Sequence, residues 1–290
     1  MPTGAPSRTA CRPVAPRAAV RATTRTPAIA AASPPRVLTP RAPPRGYGAT
    51  GGPQRGPGRH DGAMPLDSAA LRQRLDASRL LLIFTPKLCG ERDAFNQLLA
   101  LLPTVDVVQV RPKPLGPSRA PAPARESLDW SRRILEAAAT MDDAPLVLVD
   151  DRVDVAQLLL DEGLAGVHLG ADDMDPKEAR EVLGSAALIG LSTHSLQDVL
   201  RAEDQPVDYL GFGPMYDTTT KGLSSGLGPE HAWVAAATST RPVFPIGGID
   251  ALRASELSQV GRAAVGSALL SAEDPCAVAE ELHWALTQEN

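Results

Sequence analysis

Between residues 80 and 267 the chain alternates eight times between a short apolar run and a stretch with helical spacing. The runs are LLLIFT (80–85), VDVVQVR (105–111), PLVLVD (145–150), AGVHLG (165–170), ALIGLS (187–192), VDYLGFG (207–213), PVFPIGG (242–248) and RAAVGS (262–267). Their near-continuous apolar character is that of strands covered on both faces. Strict β–α alternation builds a parallel sheet with right-handed crossovers. Eight units in about 220 residues fit a closed barrel better than an open doubly wound sheet. No G-x-G-x-x-G follows the first run, which also weighs against a dinucleotide fold. The expected fold class is α/β, a (β/α)8 TIM barrel over residues 64–290.

The segments between the runs carry leucines and alanines at helical spacing, as in ERDAFNQLLALL, RVDVAQLLLDEG and DALRASELSQVG. Asp67 is placed to cap a further helix, DSAALRQRLDAS, ahead of the first strand. One interruption is long and proline-rich: RPKPLGPSRAPAPARE, after the second strand, reads as an exposed loop on the strand-exit face.

Residues 1–63 are different in kind. They are rich in Pro, Arg, Ala and Gly, lack apolar periodicity, and are expected to be a disordered extension. Residues 1–60 hold ten arginines, no lysine and no acid. Three readings fit: a start placed upstream of a true one at Met64, an organellar transit peptide, or a basic tail with a partner. Without that stretch, 19 basic and 34 acidic residues leave residues 61–290 near −15. So acidic a body is a poor nucleic-acid binder, and an anion site in it has to be a local gathering of positive groups. No apolar run approaches the length of a membrane span, so neither a membrane segment nor a nucleic-acid partner is expected. Cys11, Cys89 and Cys276 are far apart, odd in number and without metal-ligand spacing, which suits a reducing compartment. The expected location is cytoplasmic, or an organelle if residues 1–63 are a transit peptide. Oligomeric state is left open, a homo-oligomer included.

In such barrels the strand C-termini and following loops build the active site. Polar residues gather at those positions. They are Gln109, Arg111 and Lys113 after the second strand, and Asp150 and Asp151 after the third. His168, Asp172 and Asp173 follow in the fourth unit, and Ser192, Thr193 and His194 in the fifth. Thr218, Thr220 and Lys221 come after the sixth, Gly247 and Gly248 after the seventh, and Gly266 and Ser267 after the eighth. Arg111, Lys113 and Lys221 are cations suited to an anion with several oxygens. Asp151 and Asp173 could hold Mg²⁺ with water and substrate phosphate completing its shell. The glycines after the seventh strand let backbone N–H groups approach a phosphate. Two anion sites are expected: a metal-bridged one near strands 2, 3, 4 and 6, and a metal-free one near strands 7 and 8.

Taken singly, these residues have plainer readings. Arg111 and Lys113 fit a solvated rim, and Asp150–Asp151 before a helix fit an N-cap. His168, in an apolar strand, reads as a hydrogen-bonded core group, and His194 as either a helix-start or a site residue.

The segments VQVRPK, LVLVDDRVDVA, AGVHLGADDM, IGLSTHS, DYLGFGPMYDTTTKG, PVFPIGGI and AAVGSALL, over roughly residues 80–275, resemble the thiamine phosphate synthase/TenI family. That resemblance implies a (β/α)8 barrel. The implied reaction joins 4-amino-2-methyl-5-pyrimidinylmethyl diphosphate to a thiazole phosphate by a dissociative, Mg²⁺-dependent substitution, releasing pyrophosphate. It implies that Arg111, Lys113 and Lys221 hold the diphosphate and that Asp151 and Asp173 bind Mg²⁺. Gln109 and Ser192 would meet the pyrimidine end or its leaving group, with Asp150 beside the substrate. Thr218, Thr220 and Gly248 would bind the thiazole phosphate, with Gly266 and Ser267 nearby. The chain departs from the family pattern at Pro112 (usually an acid), Asp150 (usually an amide), Ala171 (usually glutamine) and Pro245 (usually alanine). A TenI-like thiazole tautomerase and a non-catalytic thiamine-phosphate-binding barrel are the alternative functions.

Overall fold

The computed structural model describes residues 68–116, 120–217 and 226–288. Thr218, Thr220 and Lys221, the extension and the cap position Asp67 lie outside the described residues.

The strands are β1 (Leu80–Phe84), β2 (Val107–Val110), β3 (Leu146–Asp150), β4 (Gly166–Leu169), β5 (Leu188–Thr193), β6 (Tyr209–Phe212), β7 (Val243–Pro245) and β8 (Ala263–Val265). The helices are α1 (Ser68–Ala77), α2 (Ala94–Leu101), α3 (Ala124–Ala138), α4 (Val153–Leu159), α5 (Pro176–Leu183), α6 (Leu196–Ala202), α7 (Pro229–Thr238), α8 (Ala251–Ala254), α9 (Ser267–Leu270) and α10 (Pro275–Thr287). All pairings are parallel and run β7-β6-β5-β4-β3-β2-β1-β8. A single parallel bridge, Ile246 to Ala264, joins the two ends of that order and closes the barrel.

Helix starts follow side-chain chemistry. Asp93 accepts from the N–H groups of Phe95 and Asn96, Asp175 from Lys177 and Asp274 from Ala277. Pro176 and Pro275 open α5 and α10, where a missing N–H costs nothing. Two segments differ from the sequence expectation. DALRASELSQVG is no single helix: α8 lasts four residues and gives way to a 3-10 turn at Ser255–Leu257. The proline-rich stretch is exposed at Pro114, Leu115, Ala120, Pro121 and Pro123, as expected, but Pro112, Lys113 and Ala122 are buried and α3 already begins at Ala124.

Strand alternation sorts the side chains into two cores. Leu80, Leu82 and Phe84 of β1 pack outward with Val108, Val147, Val167, Ile189 and the helices. Leu81, Val107, Leu146, Leu148, Leu188, Tyr209, Phe244 and Ala264 fill the barrel interior. Leu71 and Leu75 of α1 belong to that interior cluster, so α1 stoppers the barrel at the N-terminal end of its strands.

Asp208 ties the stopper down. Its Oδ1 accepts from Arg72 Nε of α1 at 2.7 Å, and its Oδ2 from Arg180 Nη2 at 2.7 Å and Ile189 N at 2.8 Å. The Asp208 side chain is only 7% exposed, so its loss takes the carboxylate from two guanidinium groups and the side-chain acceptor from the Ile189 amide. Asp208→Ala is expected to lower unfolding free energy by about 3 kcal/mol, read by urea denaturation. A loss under about 0.5 kcal/mol, the surface range, would show that α1 is held by its leucines alone.

Candidate functional site

The inward parity that fills the interior also sets the mouth. Continuing it along β2 gives Gln109 and then Arg111. Along β3 it gives Asp150, in register with His168 of β4. On β5 it gives Ser192, in register with Gly211 of β6. Among the described residues these polar side chains form two connected groups.

The first group is a charged tetrad. Lys113 Nζ lies 3.1 Å from Asp150 Oδ2 and pairs closely with Asp151 Oδ2. Arg111 Nε lies 3.4 Å from Asp150 Oδ2. Gln109 Nε2 donates to Asp150 Oδ1 at 2.5 Å. Lys113 is 7% exposed and Asp150 5%, so this is a buried cluster and the solvated-rim reading of Arg111 and Lys113 is overturned. The N-cap reading of Asp150–Asp151 falls too. The residue before α4 is Arg152, which makes no side-chain cap bond, and both carboxylates turn to the lysine.

Backbone shape aims Asp151. Its φ of 59° is the one left-handed value at a non-glycine among the described residues. Aspartate tolerates that conformation better than most side chains. It is held there because Asp151 N donates to His168 O at 2.8 Å and Arg152 N to Asp150 O at 2.7 Å. Burial, then the Asp150 charge, pushes the Asp151 carboxyl up to about 7; Lys113 opposes the shift and Asp173 adds to it. Burial works against the Lys113 ammonium, but Asp150 and Asp151 outweigh it and hold its pKa above the ordinary lysine range. Asp150 and Asp151 thus share one lysine, and the Asp173 charge reaches Asp151, an arrangement that favours a further cation.

A divalent ion fits this donor set. Asp151 Oδ2 is buried and, among the described residues, has the Lys113 ammonium beside it but no hydrogen-bond partner of good geometry. Asp173 Oδ2 accepts from Gly170 N at 2.7 Å, which fixes its carboxylate and leaves Oδ1 to spare. No group of three or more His, Cys, Asp or Glu suited to a metal occurs among the described residues. Two carboxylates with water and phosphate would suit Mg²⁺ better than an ion that needs an all-protein cage.

The second group crosses the lumen. His168 Nε2 lies 2.9 Å from Ser192 Oγ, and His168 Nδ1 lies 2.9 Å from Tyr209 Oη. His168 is therefore the hydrogen-bonded interior group its sequence setting suggests. Tyr209 escaped sequence reasoning: nothing in VDYLGFG separates its hydroxyl from an ordinary aromatic of an apolar strand. The available signal is Gly190, its register partner on β5, where a Cβ would meet the ring at 2.1 Å. His194 is exposed and bonds through Nδ1 to Gly213 O at 2.5 Å, linking the exits of β5 and β6.

The third region lies after β7 and β8. Gly247 and Gly248 both have positive φ, 101° and 66°. A Cβ on Gly248 would lie 2.9 Å from Asp217 O and from Tyr216 Cβ, so the β6 exit packs directly on this turn. Arg253 Nη1 donates to Gly248 O at 2.6 Å and stacks on the Tyr216 ring, and Tyr216 Oη donates to Glu256 at 2.7 Å. Gly266 and Ser267 open the short α9 after β8. No contact joins Gly248, Gly266 or Ser267 to the tetrad among the described residues.

Fold and mouth together define a (β/α)8 barrel with its charged groups on the strand-exit rim, where barrels of this kind place their active sites. The particular family follows from comparison. The profile described as thiamine monophosphate synthase matches residues 80–272, and the chain belongs to that family. A thiamine-phosphate synthase of Synechococcus sp. (strain WH7803) is 34% identical over 74% of this chain and 59% of its own length. One of Corynebacterium jeikeium is 38% identical over 63% of this chain and 84% of its own. Among solved structures, thiamine phosphate pyrophosphorylase from Pyrococcus furiosus is 31% identical with a TM-score of 0.60, covering 74% of this chain and 97% of that one. The chain spans 36% to 59% of the length of the cyanobacterial relatives it matches. No helix among the described residues is long and apolar enough to cross a membrane.

Proposed function

We propose that this chain is a thiamine phosphate synthase, joining 4-amino-2-methyl-5-pyrimidinylmethyl diphosphate to a thiazole phosphate and releasing pyrophosphate. The observation that carries the reading is the buried meeting of Arg111 and Lys113 with Asp150 and Asp151 at the mouth of a barrel of this family. A dissociative substitution needs fixed positive charge where the leaving pyrophosphate gathers negative charge. Arg111 and Lys113 supply it here, and neither has to move far, because Asp150 already holds both. Lys221, beyond Asp217, would add a third cation from the β6 side. Asp151 and Asp173 would hold Mg²⁺, which when bound screens the diphosphate oxygens from these carboxylates. Gln109 would orient the pyrimidine end, and Ser192 would meet its leaving group. Gly248, Gly266 and Ser267, with Thr218 and Thr220, would take the thiazole phosphate.

The test is a coupling assay on the full chain. Thiamine phosphate is expected to form with Mg²⁺ and to fall more than about 100-fold with chelator, several kcal/mol of lost charge stabilisation. No product with Mg²⁺ present would sink the proposal. Binding of both substrates without turnover would indicate a holding role instead, and metal-independent aromatisation of a thiazole would indicate a tautomerase.

A further inference from the structure

A serine beside a histidine ring nitrogen invites the reading of an activated nucleophile, with the ring taking the serine proton. The Ser192–His168 pair has that spacing, at 2.9 Å. What lies on the far side of the ring reverses its polarity.

Tyr209 is fully buried, beneath Gly190 and edge-on to Phe244. Its hydroxyl hydrogen needs an acceptor, as buried donors do. Among the described residues its hydrogen-bond partner is His168 Nδ1. Nδ1 must therefore present its lone pair. A neutral imidazole has one donor and one acceptor, so the ring hydrogen sits on Nε2 and points at Ser192 Oγ. A ring protonated at both nitrogens fails the same test, because the tyrosine hydrogen would then face another hydrogen. Ser192 Oγ accepts from the ring, and its own hydrogen is committed to no other group among the described residues.

We propose that Tyr209 is a positioning residue: it fixes His168 as the Nε2–H tautomer and so makes Ser192 a hydrogen-bond donor toward the barrel mouth, not a nucleophile. The tautomer stands on geometry alone. Its catalytic consequence rests on the synthase reading: Ser192 donates a hydrogen bond to an oxygen of the departing diphosphate. No covalent bond forms at Oγ, and the serine keeps its proton throughout.

Long-range ¹H–¹⁵N spectra of the full chain carrying ¹⁵N-histidine test this, with the His168 signals assigned by their loss in His168→Gln. The expected result is a single Nε2–H tautomer in the parent chain. In Tyr209→Phe, which removes the donor to Nδ1, the Nδ1–H form should appear. An Nδ1–H or doubly protonated ring in the parent, or a tautomer unmoved in Tyr209→Phe, would overturn the proposal. Covalent labelling of Ser192 by a fluorophosphonate probe would overturn it too. In the coupling assay Tyr209→Phe should lower kcat about tenfold with little change in KM. His168→Gln, whose amide offers an acceptor and a donor in the same order, should retain more kcat than His168→Ala. An unchanged kcat in Tyr209→Phe refutes the catalytic consequence. A chain with the expected tautomers but no coupling activity supports the polarity and places the failure in the proposed reaction.

Discussion

Lys113→Ala is expected to abolish most activity and to destabilise the fold as well, a combination unusual for a site residue. Lys113 is the cation shared by Asp150 and Asp151, and all three side chains are less than a tenth exposed. Removing it leaves two adjacent buried carboxylates, with Arg111 at 3.4 Å from one of them as the remaining ion-pair partner among the described residues. Breaking a buried ion pair from one side costs about 3 kcal/mol, because the remaining charge has lost its partner. For a barrel of this size that corresponds to a Tm about 6–12 °C lower. Loss of a fixed cation from the transition state should separately lower kcat by about 100-fold or more. Calorimetry on Lys113→Ala and Lys113→Met separates charge from packing, since methionine keeps the stem; both should fall together. Adding Asp150→Asn to Lys113→Ala should recover part of the stability and none of the rate. A single variant within a degree of the parent Tm would show that the tetrad is open to water after all.

Gly190→Ala should be as damaging from the opposite direction. One added methyl carbon would lie 2.1 Å from Tyr209 Cζ, 2.3 Å from Cε1 and 2.5 Å from Oη. The ring has little room to yield, with Phe244 against it at 5.7 Å between centroids and His168 at 5.4 Å. Overpacking of this kind costs about 3 kcal/mol. It should also pull Tyr209 from His168 and let the Ser192 hydrogen turn back to the ring, so activity should fall further than the folded fraction does. Denaturation and the coupling assay on one preparation read both. Parent-like stability would mean that the strands can part to admit the methyl group.

The barrel was legible because its strands are covered on both faces and so read as apolar runs bounded by turn residues. The rim was legible for the same reason: position at a strand end can be counted along a chain. Contacts between strands could not be counted. Asp150 and Lys113 are 37 residues apart, and whether an aspartate before a helix caps it or turns to a lysine depends on the backbone of Asp151. Tyr209 depends on register: only pairing β5 with β6 sets it against Gly190 and within reach of His168. The split of α8 was hidden as well, since ALRA and SEL carry the same helical spacing and differ only in hydrogen-bonding pattern.

The helix that shuts the barrel floor has a kinetic corollary. With Leu71 and Leu75 plugging one end, the lumen has a single door. Under the proposed reaction two reactants enter and two products leave through it, so traffic has an order. The partner seated deepest must arrive first, and the fragment nearest the threshold must clear before the other can go. Ordered entry and ordered release, with product inhibition patterns set by depth, are therefore the kinetic form expected of the proposed reaction in a barrel plugged at its floor.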